Sequence, residues 1–132
     1  MQIKEVLDSF DYLVKKYHKC EHPDKAEEFR NDLSSAKTNL LKAYNSDVSR
    51  RFESLDPVLH KLFNQHFSSL VLSVGALQEV HDRNIRSKHI DPDTFHELRL
   101  TKIHPILLQI DQRLLAMNAT LNGISIVAKR NP

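Results

Sequence analysis

The chain has 132 residues, of which 40% are hydrophobic and 27% charged, and its formal net charge is +2. This length predicts one compact domain spanning residues 1–132, and the apolar fraction is sufficient for a buried core. The small net charge disfavours a protein that coats nucleic acid, the two glycines exclude a glycine-rich phosphate loop, and the one cysteine excludes an internal disulfide.

Targeting and membrane segments are not expected from the composition. The segment MQIKEVLDSFDYLV carries four charged side chains and does not resemble a secretory signal peptide. The longest apolar run is far shorter than the roughly 20 residues that a membrane-spanning helix needs. The single thiol, Cys20, fits a reducing compartment. We therefore expect a cytoplasmic protein with no membrane partner.

Helical periodicity begins near the start of the chain. Apolar residues recur every three or four positions over about residues 2–19, so one face of a first helix is apolar. The pattern stops at EHPDKAEE, where His22 precedes Pro23 and is biased away from helical backbone angles. Pro23 suits the first position of a second helix, which would span roughly 30 residues. The segment NSDVS (45–49) is a place where this helix can bend.

Two further helices are predicted from paired aspartate and proline residues. Asp56-Pro57 and Asp91-Pro92 each combine an N-cap aspartate with a proline suited to the first helical position. Between Phe67 and Val80 the apolar face widens and small residues interleave, which indicates a central helix or one that also faces a partner chain. His104-Pro105 can kink or split the last helix. The sequence therefore predicts an all-α fold, an antiparallel bundle of four to five long helices.

The eight histidines raise the question of a metal site. His18, Cys20 and His22 lie close in sequence, but a proline is expected to end the helix that would align them. The chain has no Glu-x-x-His pair of the kind that bundles use for metals, so neither a metal site nor another cofactor is predicted. His66 falls on the apolar face of the third helix, where a partly buried histidine is expected. Surface positions are expected for His60, His81 and His96.

The segment DRNIRSKH (82–89) follows the most apolar stretch of the chain. On one straight helix Arg83 and His89 would point about 120° apart, so they could meet only if the third helix ends near Ser87. His89 would then lie just before a new helix N-terminus, whose backbone amides favour an anion. An arginine stabilises charge on phosphoryl oxygens, and a histidine moves protons near neutral pH. These groups suffice for metal-free cleavage of RNA by its own 2′-hydroxyl. Arg86 and Lys88 add attraction for the RNA chain.

Arg83, the Asn84 that follows it and His89 resemble the Arg-x(4–6)-His motif of HEPN domains, which are also small and all-helical. The resemblance implies a metal-independent ribonuclease of a toxin–antitoxin or phage-defence system, with Arg83 and His89 catalytic and Asn84 supporting. It also implies a homodimer with motif residues of both chains in one cleft, and an antitoxin-like protein as a second partner. Ile90 and Asp91 stand where one branch of the family has a tyrosine, so the subfamily stays open.

Two alternatives come from the same residues. Basic side chains such as Arg83, Arg86 and Lys88 also suit a helix C-terminus, because they complement its free carbonyl groups. The chain would then be a non-catalytic helical-bundle module for protein interaction or dimerisation through its wide apolar face. A third hypothesis is nucleic-acid binding without cleavage, for which the sequence offers further basic groups at Arg50, Arg51, Lys129 and Arg130.

Overall fold

The computed structural model describes residues 2–48, 57–86 and 88–130. Over these ranges the chain is all-helical and contains no strand. Two π-helical turns, Tyr44–Val48 and Arg99–Ile103, extend the second helix and join the fourth to the fifth, so the described residues form four helical rods. The α-helices are α1 (Ile3–His18), α2 (Pro23–Ala43), α3 (Pro57–Asn84), α4 (Pro92–Leu98) and α5 (His104–Arg130).

Helices begin at the prolines that the sequence predicted as first helical residues. Pro23 occupies the first turn of α2 after an extended His22, and Pro92 does the same in α4 after an extended Asp91. The Asp91 carboxylate accepts a hydrogen bond from the Thr94 amide at 2.7 Å, as expected for an N-cap. Pro57 begins α3, and the aspartate predicted to cap that helix at position 56 lies outside the described residues.

Pro105 does not split the last rod. A proline has no amide to donate and its ring crowds the carbonyl four residues earlier, here that of Thr101. The π-helical turn ends directly before it, with the His104 amide donating to the Arg99 carbonyl five residues back. This wider turn accommodates the proline, and the backbone stays helical from Pro92 to Arg130.

The rods form a closed ring in which α1 and α3 each contact both α2 and α5. Cross-contacts show that α1 and α5 run antiparallel: Lys4 near the start of α1 donates to Asn118, whereas His18 at the end of α1 bonds Asp111, seven residues earlier in α5. The prediction of an all-helical bundle is confirmed. In place of a fifth long helix, α4 has only 7 residues and continues into α5.

One cluster of apolar side chains from every rod forms the core. Its members in α1 recur at steps of three or four positions, with Val6 and Leu7 adjacent, which is the predicted stripe. None of the described helices is both long enough and apolar enough to span a bilayer. The largest fully buried side chains include Tyr17, Phe10, Phe63 and Phe95.

A polar pair lies inside this core. His81 is only 1% exposed, so the prediction that it lies at the surface is wrong. It follows Val74 and Leu77 at helical spacing and therefore shares their core-facing side of α3. Its Nε2 is hydrogen-bonded to the Tyr17 hydroxyl. Burial raises the pKa of Tyr17 and, with the nearby Arg30, lowers the pKa of His81 to about 4, so we assign the hydroxyl as donor to a neutral imidazole.

The buried imidazole makes the fold sensitive to acid. Unfolded, His81 has a pKa near 6.5, so the unfolded state binds the proton first as the pH falls. The free energy of unfolding should drop by about 3 kcal/mol between pH 6.5 and 4 from this group alone. Denaturant titrations across that pH range should show that the double variant Tyr17→Phe/His81→Leu loses less free energy of unfolding than the wild type. The control His96→Leu, at an exposed site, should keep the wild-type dependence of unfolding free energy on pH. The same pH dependence in the double variant would contradict the assignment.

Candidate functional site

The predicted motif lies where α3 gives way to α4. α3 ends at Asn84, and the amides of Ile85 and Arg86 both donate to the His81 carbonyl, at 2.9 and 2.8 Å. Residues 88–91 then run without helical structure into α4. The helix therefore ends three residues before Ser87, the expected end, which itself lies outside the described residues.

Arg83 projects from the last turn of α3 with a side chain that is 76% exposed. Its NH2 lies 2.6 Å from Oε1 of Glu79, one turn earlier on the same helix. An exposed pair of this kind contributes little to stability and is readily exchanged for another anion. The guanidinium is therefore accessible, but its resting partner is a carboxylate of its own helix.

Asn84 and Lys88 bind backbone carbonyl groups at the end of α3. The Asn84 Nδ2 donates to the Val80 carbonyl at 2.9 Å, and the Lys88 ammonium donates to the Arg83 carbonyl. The Arg83 carbonyl is one of the acceptors that a helix C-terminus leaves without amide partners, and the Val80 carbonyl lies in the turn before it. In the described structure these two side chains thus contact the last turns of their own helix.

Arg86 is enclosed by acidic groups of two helices. Its guanidinium lies 3.8 Å from Asp82 and 3.9 Å from Glu27. Asp82 is also held by Arg30 of α2, whose NH2 donates to Oδ2 at 3.1 Å. The hydrogen bond from Arg30 is the main cause that lowers the pKa of Asp82. This network links the end of α3 to α2 and places two carboxylates beside the charge that Arg86 would offer to RNA.

His89 is exposed at the edge of a depression of about 330 Å³ between the α3–α4 connection and the start of α2. The charged groups that line it are three carboxylates, Asp24, Glu27 and Asp91, and one ammonium, Lys88. With a neutral imidazole this surface is net negative, which disfavours a phosphate. Asp91 also already caps the helix N-terminus that was expected to attract an anion.

The single chain does not place Arg83 and His89 on one surface pocket. Arg83 is not among the residues that line the depression at His89, and no hydrogen bond or ion pair joins the two in the part of the chain described. Both side chains are exposed at the same end of α3, Arg83 in its last turn and His89 in the connection to α4. Their catalytic role stays a prediction.

Several polar residues that sequence reasoning did not single out meet at the end of α1. Arg99 is 9% exposed, and its NH2 donates to the His18 carbonyl at 3.0 Å, which places a cation at the C-terminus of α1. The same group lies 3.5 Å from Nε2 of His104. Burial, and then the Arg99 charge, lower the pKa of His104. Arg99 thus acts as a buried cap for α1.

The histidine and cysteine side chains considered as metal ligands make other contacts. His18 bonds Asp111 at 2.8 Å, and the Cys20 thiol donates to the His22 carbonyl at 3.4 Å. Burial raises the pKa of Cys20, which disfavours a reactive thiolate. Among the described side chains, no group of three or more potential ligands is arranged to hold a metal ion.

An apolar groove of about 410 Å³ lies between α2 and α3, away from the motif. Leu41 and Leu72 stand at its rim and are 48% and 75% exposed. An aliphatic side chain seated there would remove these leucines from water, which is the usual driving force for docking between proteins. The groove is lined by Lys37, Thr38, Leu41, Phe67, Ser68, Val71 and Leu72.

No protein-family model, no curated protein and no solved structure matches this chain. The likeness to HEPN domains therefore rests on Arg83, Asn84 and His89 together with the all-helical fold. A fold of this kind hosts many unrelated functions, so a function has to be argued from the sites themselves.

The N-cap at Asp91 fixes the start of α4 and with it the position of His89. Asp91→Ala removes the acceptor for the Thr94 amide, and the melting temperature should fall by about 2–4 °C. Asp93→Ala is the matched control, because it removes a neighbouring exposed carboxylate that accepts no such bond in the described structure. Thermal melts of both variants in the same buffer test this, and equal losses would show that Asp91 acts only through its charge.

Proposed function

We infer that this chain is a helical-bundle module that acts by binding another protein chain through the face formed by α2 and α3. The observation that carries the proposal is the apolar groove, with the Leu72 side chain 75% exposed at its rim. Exposed apolar patches next to polar residues are typical of interaction sites in folded proteins. Lys37 and Thr38 give this groove such a polar border.

The polar chemistry of the chain supports the same conclusion. Arg83 is paired with Glu79, Arg86 lies between two carboxylates, and Lys88 binds a backbone carbonyl. Each of these contacts is made within the folded chain at the end of α3. A binding module leaves them in place, whereas a phosphodiesterase would have to exchange some of them for contacts to phosphate.

Leu72 should contribute strongly to binding, because its apolar side chain is more exposed than that of Leu41 and docking at the groove would remove it from water. Leu72→Glu should weaken association by about 100-fold, because it places a charge on the rim of an apolar groove. Leu115→Glu is the matched control, since Leu115 is 74% exposed but lies on α5 and does not line the groove. Sedimentation velocity of the purified protein and quantitative co-purification with cellular partners measure the effect. Unchanged association in Leu72→Glu, with loss of association in Leu115→Glu, would show that binding uses α5 and would contradict the proposal.

A second candidate is a HEPN-like metal-independent ribonuclease of a toxin–antitoxin or phage-defence system, located in the cytoplasm. The observation that favours it is the exposure of Arg83 in the last turn of α3 and of His89 in the connection that follows. A homodimer could bring Arg83 of one chain to His89 of another around an RNA strand, with Arg86 and Lys88 attracting the substrate. Arg83 would exchange Glu79 for a phosphoryl oxygen, and His89 would take the 2′-hydroxyl proton as the 2′-oxygen bonds to phosphorus. The bond from phosphorus to the 5′-oxygen would break, leaving a 2′,3′-cyclic phosphate and a 5′-hydroxyl that takes its proton from solvent. An antitoxin-like protein could cover the cleft.

This candidate predicts RNA cleavage in the presence of EDTA. His89→Ala should reduce the cleavage rate by about 100-fold or more, because general acid–base catalysis contributes that much. His96→Ala is the matched control, as it removes an exposed histidine outside the motif. Electrophoresis of structured and single-stranded RNAs gives the rates. Equal residual activity in both variants would identify a contaminating nuclease and remove the candidate.

A further inference from the structure

The solvent-facing side of α3 carries a stripe of six exposed residues about 80° wide at 100° per residue. Charged residues stand only at its two ends, and the three turns between them are uncharged. The steps alternate between four and three residues, which is the spacing of a seam between paired helices. We call this stripe the α3 seam; it consists of Lys61, Gln65, Ser68, Leu72, Gly75 and Glu79.

The middle of the α3 seam contains the small residues Ser68 and Gly75 and borders the apolar groove. Ser68 and Leu72 belong both to the seam and to the lining of the groove. A side chain added at Gly75 would meet no atom within 4 Å, so this position leaves open space above the backbone. A neighbouring helix could approach closely here and seat one leucine beside Val71.

We propose that the partner chain is a second copy of this protein, which packs its α3 antiparallel on α3 around a twofold axis between Ser68 and Leu72. This inference rests on the proposed interaction function and names its partner. Around such an axis, positions whose numbers sum to 140 face each other. The partner's Leu72 then lies over Ser68 and enters the groove, and Gln65 lies over the partner's Gly75.

Charge selects this arrangement over the parallel one. Lys61 and Glu79 stand about 27 Å apart along the helix, and the twofold axis sets each against its opposite on the other chain. Parallel packing in register would set Lys61 against Lys61 and Glu79 against Glu79, which repel. Among the described residues, no carboxylate lies within ion-pair distance of Lys61. Glu79 keeps an exposed pair with Arg83 that can rearrange at little cost.

This dimer also separates the two Arg83–His89 motifs. The two copies of Arg83 would be about 39 Å apart along the paired helices, at opposite ends of the contact. The motifs would not share one cleft, so a ribonuclease built from two chains would need a different surface. A dimer through the α3 seam and a dimer that forms a ribonuclease cleft therefore differ in the distance between their two Arg83 residues.

Charge exchange tests the pairing directly. Lys61→Glu alone puts like charges at both ends of the seam, and Glu79→Lys alone does the same with the opposite sign. Each variant should dimerise about tenfold or more weakly than wild type, because two attractive contacts become repulsive. An equimolar mixture of the two variants should restore dimerisation as a heterodimer, as should the double variant Lys61→Glu/Glu79→Lys. Sedimentation equilibrium at low salt, where exposed charges are least screened, measures all four samples.

Each outcome of the charge exchange supports or overturns a specific part of the proposal. Rescue in the mixture and in the double variant supports the antiparallel seam, since neither can arise from a general loss of stability. Dimerisation that ignores the charge exchange but is lost in Leu72→Glu overturns this geometry while the interaction function stands. A wild-type protein that remains monomeric at millimolar concentration overturns self-association. The proposed function then fails as well if Leu72→Glu also leaves co-purification with other proteins unchanged.

Discussion

The buried contact between Tyr17 and His81 is the constraint on which the position of every candidate site depends. Tyr17 is the last large core residue of α1, its ring lies 5.0 Å from that of Phe29 in α2, and its hydroxyl bonds His81 in α3. Three helices therefore meet at one polar bond inside an apolar core. The carbonyl of the same histidine accepts the amides that end α3. Arg83 and His89 thus follow this buried contact by two and eight residues along the chain.

The two faces of α3 serve different purposes because their surroundings differ. The inner face holds the apolar core and ends in the buried histidine. At the end of the outer face, basic side chains contact Glu79, Asp82 and a backbone carbonyl group of the same helix. The middle of the outer face has neither charge nor cover. Contact with another chain is the physical role that such a surface supports best.

The sequence predicted the helices well because their determinants are local. Apolar residues three and four apart, the prolines at positions 23 and 92 and the cap at Asp91 all act within a turn or two of the chain. The surface assignment of His81 failed although it follows Val74 and Leu77 in helical register, because the polar character of histidine outweighed its position. The buried partner Tyr17, 64 residues away, makes that position acceptable. Glu79 stands four residues before Arg83 on one helix, so their ion pair could have been predicted from the sequence. The buried cap from Arg99 depends on a contact with His18, 81 residues away, which periodicity does not contain.

The position of Arg83 relative to its copy in a second chain tests the central claim, that the exposed side of α3 is a docking surface for another copy. A spin label attached at Arg83→Cys, in a Cys20→Ala background, reports this distance through dipolar electron resonance. The antiparallel α3 contact predicts labels separated by about 40 Å along the helix axis. A separation under about half that value would mean that the two motifs converge. Such a result would contradict the docking surface described and favour the ribonuclease cleft in its place.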